Sequence, residues 1–130
     1  MKLPAIIRYA VFGAAIVLSP LTEAHHSNSA FYVTKVITIK GVVKEVKWSN
    51  PHIWVIVTVD DGKGNKMDWK VEGRPPGILL RSGWTPKSIQ VGETITVDLS
   101  PAKDDTASGL MARVTKADGT ILANAPPPTE

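Results

Sequence analysis

The chain has 130 residues, a formal net charge of +3 and no cysteine. Without cysteine it forms neither disulfides nor thiolate metal sites, and it has no cysteine nucleophile. Its basic residues are spread singly, whereas a nucleic-acid-binding protein normally presents a strongly basic face, so we expect no nucleic-acid partner.

Residues 1–24 have the three parts of a cleavable secretory signal peptide. Lys2 and Arg8 form the basic region, an apolar run follows over 10–18, and Ala24 is the small residue before the cut. The apolar run is shorter than the roughly 20 residues of a transmembrane helix. We therefore predict export to the periplasm or cell exterior, with no integral membrane segment after cleavage. The alternative is an uncleaved N-terminal anchor.

Cleavage after Ala24 would leave 106 of the 130 residues, with 13 basic and 11 acidic side chains. This length suits one domain with a modest hydrophobic core. We assign residues 25–35 to an N-terminal arm, 36–123 to the folded domain, and 124–130 to a Pro-rich disordered tail.

The folded domain begins with a predicted meander of β-strands. Apolar residues alternate and then change phase within 36–48, and Gly41 allows a sharp bend, so we expect a bulged, coiled first strand. Residues 53–59 are apolar on both parities, which is typical of a central strand. A turn over 60–65 leads to the third strand.

The third strand alternates, and a short helix follows it. Trp69 falls on the core face of the strand, whereas Asp68 and Glu72 fall on the exposed face. Pro76 suits the first turn of a helix and Gly83 suits its C-terminal end, so these two residues predict the helical connection.

Two more alternating stretches, 94–99 and 110–115, and a hairpin turn at 118–119 predict two or three closing strands. This order of elements is that of an OB-like barrel. We predict an all-β fold, a small OB-like barrel of five to six strands with one short helical connection. An open sandwich is the alternative, but the domain has little material for a second full sheet.

The histidines are the residues that most suggest chemistry. His25 and His26 would begin the exported chain, so His25 would offer its α-amine and its ring Nδ1 to one metal ion. His52 would complete a three-nitrogen site of the kind that Cu(II) favours, although Zn(II) and Ni(II) accept the same donors. The alternatives are a disordered polar start for the histidine pair and a turn-stabilising role for His52.

A second candidate is a shallow, metal-free rim that would bind a small molecule, a glycan or a protein partner. Its predicted residues are Asn50, Trp54, Glu72, Arg81 and Trp84. Tryptophans are more often core residues than ligand platforms.

No hydrolase signature or phosphate-binding glycine loop occurs in the sequence, so we predict no catalytic residue. The expected function is that of an exported binding protein. An oxidative copper enzyme that uses the same histidines is a further alternative. Cu(II) is the one candidate cofactor.

Five short motifs occur along the chain: His25-His26-Ser27, Asn50-Pro51-His52-x-Trp54, Trp69-x-Val71-Glu72, Leu80-Arg81-x-Gly83-Trp84 and Val91-Gly92-Glu93. Together they resemble an uncharacterised family of small exported bacterial proteins, a domain of unknown function. The resemblance spans residues 25–122 and implies export but no established activity. One departure is the turn over 73–76, where a small polar or Ser/Asn-Pro sequence would be expected.

Overall fold

The structure is a computed structural model, and it describes residues 30–32 and 34–124. The predicted signal peptide, His25, His26 and residues 125–130 lie outside the described residues. The elements are β1 (Ile37–Lys47), β2 (Trp54–Asp60), β3 (Lys66–Glu72), α1 (Pro76–Arg81), β4 (Thr94–Pro101), β5 (Ser108–Lys116) and β6 (Ile121–Ala123). Within this part of the chain there is no helix with the length and apolar character needed to cross a bilayer.

The strands form a closed five-stranded barrel with one added strand. The pairing order is β3-β2-β1-β4-β5-β6, and a further pairing joins β3 to β5. Neighbouring strands run antiparallel except at the β3–β5 closure, which is parallel. The predicted all-β, OB-like barrel with one short helical connection is confirmed.

β1 is long enough to pair with two neighbours in succession. Its residues 37–42 pair with β4, and residues 42–47 pair with β2, with a bulge between Val43 and Glu45. Gly41 lies where the two pairings meet, and a Cβ there would collide with the carbonyl oxygen of Thr58. Glycine therefore permits the close approach of β1 and β2 that coils the barrel.

The hydrophobic core fills the inside of the barrel. Burial of one such side chain stabilises the fold by about 1.5–3 kcal/mol. Every barrel strand contributes fully enclosed residues, namely Val43, Val55, Val57, Val71, Ile95, Val97, Leu99 and Val114.

α1 and Trp84, which lies shortly after it, add to this core. Pro76 occupies the first turn, and Gly83 has a φ of 88°, the left-handed conformation that favours glycine after a helix. Leu79 is completely buried. Trp84 is also buried, and its indole N–H donates to the carbonyl of Ala123 at 2.7 Å. The segment that follows α1 is thereby joined to β6 as well as to the core.

Asn124 follows β6 and is buried, although the sequence assigns it to the tail. Its side-chain Nδ2 donates to the carbonyl of Met111 at 2.6 Å, and its Oδ1 accepts from the backbone N–H of Arg74 at 3.1 Å. These contacts tie the chain after β6 to β5 and to the segment that follows β3. Asn124, which the sequence assigns to the tail, is thus part of the packed structure.

Candidate functional site

His52 and Glu72 meet at one end of the barrel, where β2 begins and β3 ends. Trp54 and Glu72 are direct partners in the β2–β3 ladder. Beyond them, the backbone N–H of Gly73 donates to the carbonyl of Ile53 at 2.9 Å, so the two chain segments stay together past the strands. This pairing holds His52 beside Glu72, with Nδ1 of the imidazole 2.8 Å from Oε1 of the carboxylate.

The His52–Glu72 contact is largely enclosed. The Glu72 side chain is 8% exposed and the His52 side chain 21% exposed, and Nδ1 itself is shielded from solvent. The two atoms are at hydrogen-bonding distance. An enclosed carboxylate is costly unless a partner compensates for the water it has lost. The imidazole is such a partner.

Trp54 lies next to this contact on the outer side of the barrel. It is partly exposed, and the ammonium of Lys70 stands over its ring at 4.3 Å from the ring centroid. A cation over an indole face is favourable, and the contact covers part of the surface that a stacked ligand would use.

Of the other predicted rim residues, Asn50 and Arg81 are exposed, whereas Trp84 is buried. Trp84 is 2% exposed and belongs to the core, so its ring offers no face to a ligand. Arg81 is exposed at the end of α1, and Asn50 is exposed in the turn before β2. Trp84 therefore does not present its ring at the rim that the sequence predicts. Trp84, which lies three residues after the end of α1, is buried in the core because its ring is apolar and its N–H finds a backbone acceptor.

Two of the three predicted metal ligands, His25 and His26, lie outside the described residues. Within the described ranges no group of three or more His, Asp or Glu side chains is close enough to hold a metal ion. His52 and Glu72 together are a pair. A metal site at this end of the barrel would therefore need further donor atoms. These would come from other residues of the chain or from water bound to the metal ion.

The arm that precedes β1 is attached to the barrel. Phe31 forms a bridge with Ala102, and the backbone N–H of Lys103 donates to the carbonyl of Ala30 at 3.0 Å. The chain that enters the described region is thus fixed beside the end of β4.

The partnership of Glu72 with His52 is the feature that the sequence did not predict. Strand alternation places Glu72 on the exposed face, yet the residue is buried. Its ladder neighbours are Trp54 on β2 and Leu110 on β5, so its backbone is paired on both sides. The only sequence signal was an acidic residue at the end of a strand that must pair with the strand beginning at His52.

Other carboxylates of the barrel carry their contacts on the outer surface. Asp68 accepts from the ammonium of Lys44 at 2.5 Å and from the hydroxyl of Thr58 at 2.7 Å, and these bonds hold its pKa below the usual value. The hydrogen bond from Thr38, and then that from Arg113, lowers the pKa of Asp98 in the same way. Water surrounds the Lys44–Asp68 pair, unlike the His52–Glu72 contact.

The fold and this contact define a small closed β-barrel in which an imidazole meets an enclosed carboxylate where β2 begins and β3 ends. Residues 14–113 match the family of unknown function DUF6152, and the chain belongs to that family. No curated protein matches the chain. The predicted membership of an uncharacterised family is confirmed.

Proposed function

We propose that the protein is an exported binding protein that holds a divalent metal ion, with Cu(II) as the best fit, through His25, His26 and His52. The observation that carries the proposal is the position of His52. Its imidazole is partly exposed at one end of the barrel, beside the enclosed carboxylate of Glu72. Metal-binding histidines commonly have a carboxylate beside the ring nitrogen that does not bind the metal.

The remaining donors come from the start of the exported chain. Signal-peptide cleavage after Ala24 gives His25 a free α-amine next to its own imidazole. These two nitrogens bind one ion in a chelate ring, and His52 supplies a third nitrogen. Cu(II) binds nitrogen donors more strongly than the other common divalent metals, which supports copper over zinc or nickel.

The length of the arm is compatible with this arrangement. From the arm, the ladder crosses β4 and β5 before it reaches β3, and three strand spacings amount to about 14 Å. His25 precedes the anchored residue Ala30 by five residues, a stretch of chain that reaches up to about 17 Å when extended. A fully extended stretch of five residues would therefore be long enough to span three strand spacings.

The decisive experiment is a Cu(II) titration of the exported, intact chain. Mass spectrometry should find His25 as the first residue, and electron paramagnetic resonance should show one Cu(II) ion with several nitrogen ligands. A chain that begins at His25 with its α-amine acetylated is the matched control, because acetylation removes the amine as a metal donor and leaves every side chain in place. It should bind Cu(II) at least tenfold more weakly.

Binding should also weaken as the pH falls. An N-terminal α-amine ordinarily has a pKa near 8, and the metal must displace its proton. Absence of a tight, nitrogen-ligated site in the chain that begins at His25 would end the metal proposal.

A metal-free module that binds a small molecule, a glycan or a protein partner is the competing proposal. The partly exposed Trp54 beside Glu72 supports it, whereas the burial of Trp84 removes half of its aromatic surface. Ligand binding that persists in a strong chelator would favour this alternative over a metal site.

A further inference from the structure

We infer that Glu72 is a positioning residue for the metal site: it fixes the proton of His52 on Nδ1 and so presents Nε2 as the metal ligand. This inference rests on the proposed metal binding and deepens it by naming the ligating atom and the residue that selects it. Three features of the described residues support it.

The first observation is the burial of Glu72. Among the residues that the structure describes, it is the only acidic residue that is buried. A carboxylate enclosed in this way needs a hydrogen-bond donor or a positive charge close by. His52 stands at 2.8 Å, so the imidazole is part of what makes the burial of this carboxylate tolerable.

The second observation is the identity of the facing atom. It is Nδ1 of His52 that lies against Oε1 of Glu72. An ionised carboxylate can only accept, and a ring-nitrogen lone pair at this distance would be repelled by it. The electrostatics therefore favour the tautomer with its proton on Nδ1, which puts the lone pair needed for metal binding on Nε2.

The third observation is the rigidity of the backbone behind Glu72. Gly73 is packed so tightly that a Cβ would lie 2.5 Å from the side chain of Ile53. The next residue, Arg74, has its backbone N–H bound by the buried side chain of Asn124. Glu72 is thus held by a fixed ladder and a fixed loop start, as a residue must be if it is to orient another side chain.

The test compares Glu72→Gln with Asp68→Asn in chains that begin at His25. Glutamine keeps the size of the side chain but removes its charge, and its amide can turn to donate to Nδ1. Removal of such a second partner typically weakens metal binding by about 10- to 100-fold, so we expect that loss of Cu(II) affinity. Asp68→Asn removes the same charge four residues earlier on β3, at an exposed position, and should leave the affinity unchanged.

A second measurement needs no metal and separates positioning from a merely structural role. The ¹⁵N shifts of His52 in the metal-free wild type should show the proton on Nδ1 at neutral pH. In Glu72→Gln the two tautomers should become mixed. Glu72→Asp, which retains the charge at a shorter reach, should keep more of the wild-type tautomer and of the affinity than Glu72→Gln does.

The outcomes distinguish the two proposals. A wild-type chain without tight Cu(II) binding overturns the proposed function, whatever the tautomer. A wild-type chain that binds Cu(II) but carries its His52 proton on Nε2 overturns the role of Glu72 alone. Equal affinity of wild type and Glu72→Gln does the same. Should Glu72→Gln fail to fold, the wild-type tautomer measurement still decides the matter.

Discussion

Two carboxylates on the same face of β3 differ sharply in their surroundings. Asp68 lies in the half of the strand that only β2 pairs, and its side chain is 41% exposed. Glu72 lies four residues further on, between β2 and β5, and its side chain is 8% exposed. Strand alternation alone therefore does not decide which acidic group loses its water, and neither does pairing on both sides, because Lys70 lies on the same face, pairs with both β2 and β5, and is exposed.

The loss of water changes what each contact is worth. The Lys44–Asp68 pair is surrounded by solvent, which screens it and makes its effect on stability small. The His52–Glu72 contact is enclosed, so removal of one partner exposes the full cost of an uncompensated polar group. Three substitutions test this contrast.

The largest effect is expected for His52→Ala. This change leaves the Glu72 carboxylate enclosed without its imidazole, which should lower the free energy of unfolding of the metal-free protein by about 2–3 kcal/mol. Urea denaturation measures the loss. Combining His52→Ala with Glu72→Gln should restore part of it, because a neutral amide is less costly to bury than a carboxylate. A loss below about 0.5 kcal/mol would show that the enclosed contact counts no more than the exposed one.

An intermediate effect is expected for Asn124→Ala, which also removes an enclosed polar contact. The change leaves the carbonyl of Met111 and the N–H of Arg74 without their side-chain partner. One buried group that loses its partner costs about 1–3 kcal/mol, and we expect about 2 kcal/mol in total because Arg74 is exposed. Amide hydrogen exchange should show faster exchange at Arg74. Unchanged exchange there would mean that water replaces the asparagine at no cost.

The smallest effect is expected for Asp68→Asn. The lowered pKa of Asp68 in the fold means that its carboxylate stabilises the protein above the usual carboxyl pKa, and that this contribution is lost as the pH falls below about 4. Thermal unfolding of the variant should match that of wild type at pH 7 in high salt. Below pH 4 the wild type should lose its remaining small advantage. An effect as large as that of His52→Ala would contradict the contrast between the two halves of β3.

The barrel was predictable from the sequence because its signals are local. Alternation marked the strands, Pro76 and Gly83 marked the ends of the helical connection, and the phase change after Gly41 matched the bulge in β1. Each of these features depends on residues within a few positions of one another. Local patterns of this kind fix element type and order.

The site was less predictable because it depends on closure between distant parts of the chain. Glu72 pairs with Leu110, 38 residues away, and nothing in the alternation of β3 shows that a neighbouring strand will cover its last residue. The burial of Trp84 depends likewise on an acceptor at Ala123. His52 lies just before β2, as the sequence predicts, but its contact with Glu72 followed only from the structure.

The bridge between Phe31 and Ala102 makes the arm part of the barrel's architecture. Any donor that precedes Ala30 is thereby tethered a few residues from the body of the protein, and short flexible tethers give effective concentrations in the millimolar range. Under the proposed function, such tethering would bring the α-amine and imidazole of His25 together with the imidazole of His52 as donors to one metal ion. In that case each residue added to the arm would lower the metal affinity, and it would do so by a small step, because the entropy of loop closure grows slowly with length.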